Sequence, residues 1–326
     1  MDDNENAAPT TCIVCGINDG GEAANSQDVH WLRRDDSLRL GVCSGCADWV
    51  NAWDKGTRQM ADSSSPSVLD QLIQNATLPS LSHVLLEIYD LLSSETAGAD
   101  QIAQLIGTDT GLSARTLRLA NSAYYGLSRK ITTIPEALSR IGPFDLWWLL
   151  LTTEVKSLFY GIDRSLADMS GFWRHSLMVA SASRVLAERY GVGNPAELFV
   201  AGLLHDAGKL LLLRYLPVDY GAVLQQQATG KIPLHQVERE SLGFDHAEAG
   251  GRLLDRWQLP TALIEPVAGH HRDYLALTPT SLVAVANELA HWMESADMAI
   301  TLPEIADEQT AAATERLFRR LADLVL

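Results

Sequence analysis

The sequence predicts an all-α protein of two helical lobes, preceded by a small zinc-binding module with short β-strands. Three observations carry that prediction. From Val68 onward, apolar residues recur at helical spacing and no alternating strand pattern stands out. Glycine and proline cut that region into short helices, as in a bundle. All four cysteines fall near the amino terminus, in Cys12-Ile13-Val14-Cys15 and Cys43-Ser44-Gly45-Cys46.

Residues 1–9 are acidic and polar; they read as a disordered tail without the apolar run of a secretory signal. Residues 10–60 form the cysteine module. Two Cys-x-x-Cys pairs, each bending two thiolates around one ion, are the donor set of a structural zinc site held by Cys12, Cys15, Cys43 and Cys46. Two disulfides are the alternative, and the lack of an export signal favours zinc. Four thiolates leave no open coordination position, so the role is stability or docking rather than catalysis. Val29–Leu32 and Leu38–Val42 read as strands, and Ala47–Met60 as a helix carrying Trp49 and Trp53. Residues 61–67, rich in serine with Pro66, read as a linker.

The helical domain spans residues 68–295, with lobes at 68–165 and 166–295, and residues 296–326 add a carboxy-terminal helical segment. Leu69, Leu72 and Ile73 open it at i, i+3 and i+4; Leu81, Val84, Leu85 and Ile88 continue the spacing after Pro79. Asp100 is expected to cap Gln101–Ile106, and Asp109-Thr110-Gly111 to turn the chain into Leu112–Ala120. Ile134-Pro135 starts a helix that Gly142-Pro143 ends, and a leucine- and tryptophan-rich helix runs over Phe144–Leu158. In the second lobe, Ser170 is the expected cap of Gly171–Tyr190, and Asn194-Pro195 opens the next helix. Asp245 to Glu248 reads as a capping motif, and Pro260 starts a helix that reaches Gly269-His270-His271. Ser281–Trp292 follows, and Ala311–Val325 closes the chain with a stripe of Leu317, Leu321 and Leu324.

The chemistry concentrates at Gly202-Leu203-Leu204-His205-Asp206-Ala207-Gly208-Lys209-Leu210. An adjacent His-Asp pair is expected there inside an almost all-round apolar, buried helix. A charge in such a place costs several kcal/mol unless it is paired or meets a metal. Adjacent helical residues diverge by about 100°, so His205 and Asp206 cannot share a face but can flank one ion. Lys209 shares the face of His205, where it meets a phosphate or pairs with Asp206. An ordinary buried His-Asp hydrogen bond is the alternative. His175, His246, His270 and His271 join them in the same lobe, and imidazole with carboxylate suits zinc, iron or manganese.

Composition narrows the function. The apolar fraction is 47%, enough for a real core. A net charge of −16, from 41 acidic against 25 basic residues, argues against sequence-independent binding to nucleic acid or an anionic membrane. The same charge weighs against nucleic-acid binding by the cysteine module. No apolar run approaches the roughly 20 residues of a membrane span, and the expectation is a soluble cytoplasmic protein.

Several stretches resemble one family: Leu78-Pro79-Ser80-Leu81, Arg118-Leu119-Ala120-Asn121-Ser122-Ala123, Phe172-Trp173-Arg174-His175-Ser176, Gly202-Leu203-Leu204-His205-Asp206, Leu242-Gly243-Phe244-Asp245-His246-Ala247-Glu248, Trp257-Gln258-Leu259-Pro260 and His270-His271. Over about Leu78 to Tyr274 the chain resembles the HDOD family, bacterial signalling modules of the HD-domain superfamily related to the HD-GYP cyclic di-GMP phosphodiesterases. The resemblance implies an HD-like helical fold. It implies that His175, His205, Asp206, His246, His270 and His271 hold one or two iron, manganese or zinc ions. In the wider superfamily a metal-activated hydroxide attacks phosphorus, and here Asp206 and Lys209 would be the catalytic pair, Lys209 steadying a phosphate. Two positions depart from the pattern. Asn287 stands where a closing aspartate is expected, and Arg272-Asp273-Tyr274 stands where Gly-Tyr-Pro would follow the paired histidines. The resemblance therefore implies a signal-transduction protein acting through a protein partner or a small nucleotide-like ligand. The alternative is a metal-dependent phosphohydrolase acting on a nucleotide or cyclic dinucleotide. The final helix or Trp147-Trp148 could support homo-oligomers.

Overall fold

Apolar periodicity sets the architecture. The computed structural model describes residues 29–33, 39–43, 67–74, 78–94, 98–122, 130–230, 232–272, 276–295 and 306–326, the first two segments by backbone alone. Strands β1 (Val29–Arg33) and β2 (Arg39–Cys43) pair antiparallel with Val29 opposite Cys43 and Arg33 opposite Arg39. Cys12, Cys15, Cys46 and the side chain of Cys43 lie outside the described residues, as do the tail, linker residues 61–66 and the expected helix over Ala47–Met60.

The rest of the described chain is helical. Helices α1 (Val68–Gln74), α2 (His83–Ser93), α3 (Ala99–Thr108), α4 (Thr110–Ala120), α5 (Ile134–Ile141) and α6 (Pro143–Leu158) come first. Then follow α7 (Met169–Tyr190), α8 (Pro195–Leu204), α9 (Ala207–Tyr215), α10 (Pro217–Thr229) and α11 (Leu234–Leu242). The last are α12 (His246–Arg256), α13 (Thr261–Gly269), α14 (Pro279–Glu294) and α15 (Glu308–Val325).

Side-chain caps set several helix starts. Asp245 accepts the Glu248 backbone N–H at 2.8 Å, and Asn194 accepts that of Ala196 ahead of Pro195. Three expectations shift. Asp168 rather than Ser170 caps α7, because its carboxylate accepts the Ser170 N–H at 2.9 Å. Gly98 rather than Asp100 precedes α3, where the Gln101 side chain accepts the Gly98 N–H. On α15 the buried stripe runs through Thr310, Ala311, Thr314, Phe318 and Val325, while Leu317, Leu321 and Leu324 stay half-buried.

Helix α7 is the spine, packed against α8, α14 and α15, while α12 packs on both α9 and α13. Helices α1–α6 join this body through large aromatic side chains. Trp148 meets Phe199 with ring centroids 4.7 Å apart, and Trp257 Nε1 donates to the Pro79 carbonyl at 2.8 Å. Tyr89 donates its hydroxyl to Glu197 at 2.9 Å. Burying side chains of this size stabilises by about 1.5–3 kcal/mol each. Among the described residues, no helix is long and apolar enough to cross a membrane.

Candidate metal centre

The His-Asp stretch is not one continuous helix. Helix α8 stops at Leu204 and α9 begins at Ala207, with Asp206 at φ −95°, ψ 10° between them. The bend frees His205 and Asp206 from a common helical register and aims both inward; they are 0% and 3% exposed. Close approach of two helices holds the bend in place. A Cβ on Gly208 would run into the His246 carbonyl oxygen, so only glycine lets α9 meet the start of α12.

Three buried histidines are locked in the same tautomer. His205 Nδ1 lies 2.7 Å from the Gly202 carbonyl, and His270 Nδ1 lies 2.7 Å from the Val267 carbonyl. His246 Nδ1 lies 2.6 Å from Glu238 Oε2. These oxygens only accept, so each ring carries its proton on Nδ1 and presents a bare Nε2 to the interior. The Nε2 atoms converge on one carboxylate. His205 Nε2 is 3.3 Å from Asp206 Oδ2, and His246 and His270 Nε2 are 3.2 and 3.9 Å from Oδ1. His271 Nε2 comes within 2.9 Å of His246 Nε2. Lys209 pairs with Asp206 at 2.7 Å, one of the two roles expected of it.

Electrostatics keep these donors bare. Burial holds His205 below the usual imidazole range. Burial, with His205, His271 and His246 nearby, holds His270 well below it. His271 falls to about 2 through burial and the adjacent His246. Burial opposes ionisation of Asp206, yet His205 and Lys209 hold its carboxyl well below the ordinary range. His246 is the exception: burial and Lys209 oppose its protonation, but Glu238 and Asp206 raise its pKa.

His205 Nε2, His270 Nε2 and Asp206 Oδ1 are buried without a hydrogen-bond partner. Native interiors rarely leave such atoms bare, and bound cations would satisfy them. The donors fall into groups with ligand atoms within 4.8 Å of one another: His246, His270 and His271 in one, His175, His205 and Asp206 in another. The fold thus brings together all six expected ligands. Asn287 lies beside them, its Oδ1 3.0 Å from His175 Nε2. Asp273 lies outside the described residues.

Sequence reasoning missed four residues. Glu238 is 0% exposed and accepts from the Tyr220 hydroxyl at 2.7 Å as well as from His246. His235 stacks on His271 with centroids 4.3 Å apart. His291 stacks on His175 at 4.6 Å, and Glu294 Oε2 lies 2.8 Å from His175 Nδ1. The spacing of Asn287, His291 and Glu294 on one helix, at i, i+4 and i+7, was the available signal.

Comparison with known proteins agrees with this arrangement. The family model for the HDOD domain matches residues 78–273. A protein of known structure from Shewanella amazonensis SB2B, described as a proposed phosphohydrolase, is 27% identical. The match covers 79% of this chain and 95% of that one, with a TM-score of 0.62. An HDOD domain protein of unknown function from Geobacter sulfurreducens is also 27% identical, over 74% of this chain and 83% of that one, with a TM-score of 0.57. An uncharacterized protein from Treponema pallidum (strain Nichols) is 27% identical over 229 residues, which are 67% of this chain and 43% of that protein. The chain thus spans less than half the length of that relative. A matched family model over more than half of the chain, on an HD-like helical fold, makes this protein a member of the HDOD domain family.

Proposed function

We propose that this chain is a regulatory signal-transduction protein whose second lobe holds a divalent metal ion. His205, Asp206, His246, His270 and His271 are the donors, with His175 at their edge. The observation that carries the reading is the trio of buried, partnerless atoms, His205 Nε2, His270 Nε2 and Asp206 Oδ1. Donors of nitrogen and oxygen without thiolate suit iron, manganese or zinc. A bound ion there supplies Lewis-acid polarisation of a phosphate oxygen and lowers the pKa of bound water. The chain's own part is to orient three imidazoles through Gly202, Val267 and Glu238 and to hold Lys209 against Asp206. Lys209 is 24% exposed in its side chain, so it can exchange that contact for an anionic ligand.

Regulation is favoured over turnover by Asn287, a neutral amide hydrogen-bonded to His175 in the place of a closing carboxylate. The ligand read by the lobe is nucleotide-like or a protein partner. Zinc bound by Cys12, Cys15, Cys43 and Cys46 is part of the same proposal, and Cys43→Ser should release it. The second reading, a metal-dependent phosphodiesterase, is supported by Lys209 beside Asp206 and by the likeness to the Shewanella protein. The test is turnover of bis(p-nitrophenyl) phosphate and cyclic di-GMP by the manganese-, iron- or zinc-supplemented protein. Metal binding without hydrolysis is expected. Hydrolysis that disappears in Asp206→Ala would replace the regulatory reading with the enzymatic one.

A further inference from the structure

His175 sits between two sets of groups, His205 with Asp206 on one side and His291 with Glu294 on the other. Its Nε2 lies 3.0 Å from the Asn287 side-chain amide. Its Nδ1 lies 2.8 Å from Glu294 Oε2. A proton or a cation between these two atoms satisfies both. His291 brings a third donor to the same spot. Its ring stacks on that of His175 with centroids 4.6 Å apart at 30°, and ligand atoms of His175, His291 and Glu294 all lie within 4.8 Å of one another.

Helix geometry makes the arrangement coherent. Asn287, His291 and Glu294 occupy successive turns of one face of α14, and that face packs on α7, which carries His175. The amide at the first turn draws His175 Nε2, while the imidazole and carboxylate at the next two turns gather around Nδ1. His175 and Glu294 are 13% and 26% exposed in their side chains, so an ion can reach this set from solvent.

We propose that His175, His291 and Glu294 form an outer divalent-cation site, distinct from the buried cluster around Asp206. Two imidazoles and one carboxylate select a borderline ion of the zinc class over calcium or magnesium, which prefer all-oxygen sites. In this arrangement His175 serves the outer ion through Nδ1, and the inner cluster relies on its five other donors. The outer site does not require the inner one to be filled.

The test is a Zn2+ titration of the full chain, read by isothermal calorimetry and elemental analysis, with wild type, Asp206→Ala, His291→Ala and Glu294→Gln compared. Circular dichroism confirms helix content in each, and Glu294→Gln keeps shape and size if His291→Ala perturbs packing. One zinc equivalent is expected to weaken by about tenfold or more in both His291→Ala and Glu294→Gln, and to persist in Asp206→Ala. Unchanged stoichiometry and affinity in both outer variants would overturn the proposal. So would loss of that equivalent in Asp206→Ala, which would merge the two sites into one.

Discussion

Glu238 Oε2 receives two donors from His246, the backbone N–H at 2.9 Å and Nδ1 at 2.6 Å, while Oε1 receives the Tyr220 hydroxyl at 2.7 Å. A fully buried carboxylate therefore fixes both the start of α12 and the ring orientation of a proposed metal ligand. Second-layer carboxylates of this kind are worth about 10–100-fold in metal affinity. Glu238→Gln is expected to weaken metal binding by that factor and leave the helical circular dichroism in place. Unchanged affinity would mean that Glu238 serves packing alone.

Much of this fold is legible in the sequence because its determinants are local. Apolar spacing places α1 through Leu69, Leu72 and Ile73, all buried as expected, and Asp245, Asn194 and the prolines set helix starts. The bend at His205-Asp206 is not legible in that way. Its flanks are apolar on every side, so periodicity reads straight through, and the break depends on Gly208 meeting α12 across the fold. The proposed ligands His175, His205, Asp206, His246, His270 and His271 stand out by residue type and by resemblance. Glu238 and Glu294 do not, since a lone glutamate on a helix ordinarily faces solvent. Only tertiary packing turns the one inward and brings the other to His175.

The packing at Gly208 gives a direct test of the bend. Gly208→Ala pushes a methyl group against the backbone of His246, which cannot retreat as a flexible side chain could. The expected cost is about 1–3 kcal/mol or more in urea unfolding, with weaker metal binding because Asp206 and His246 move apart. Wild-type stability would refute the close contact.

The metal-free protein should lose stability as the pH falls from 7 to 5. The pKa values of His205, His270 and His271 lie below the ordinary 6.5, so unfolding takes up protons. Their contribution is complete above that ordinary value and is lost as pH falls towards the folded values, about 2 for His271. His246, raised above 6.5, runs the other way and is lost as pH rises through its folded value. Asp206, held below 3.8, keeps its contribution across this window and loses it only in stronger acid. Three groups against one predict a melting temperature several degrees lower at pH 5 than at pH 7, and a shallower slope in His271→Asn. A melting temperature that does not fall would contradict the burial of neutral imidazoles.

Trp147 is 1% exposed and donates Nε1–H to the Leu85 carbonyl at 2.8 Å, tying α6 to α2. Trp147→Phe removes that hydrogen bond and leaves a small void, for roughly 1–3 kcal/mol of lost stability. Chemical denaturation measures it, and a neutral result would place the tie elsewhere in the α2–α6 interface.

The central claim is that the atoms left bare around Asp206 hold a metal ion. Elemental analysis of untagged, full-length protein, wild type against Asp206→Ala and His205→Ala, tests it most directly. At least one iron, manganese or zinc ion present in the wild type and lost in both variants is the predicted result. Equal metal content in all three would leave His205 and Asp206 as a structural pair and contradict the account.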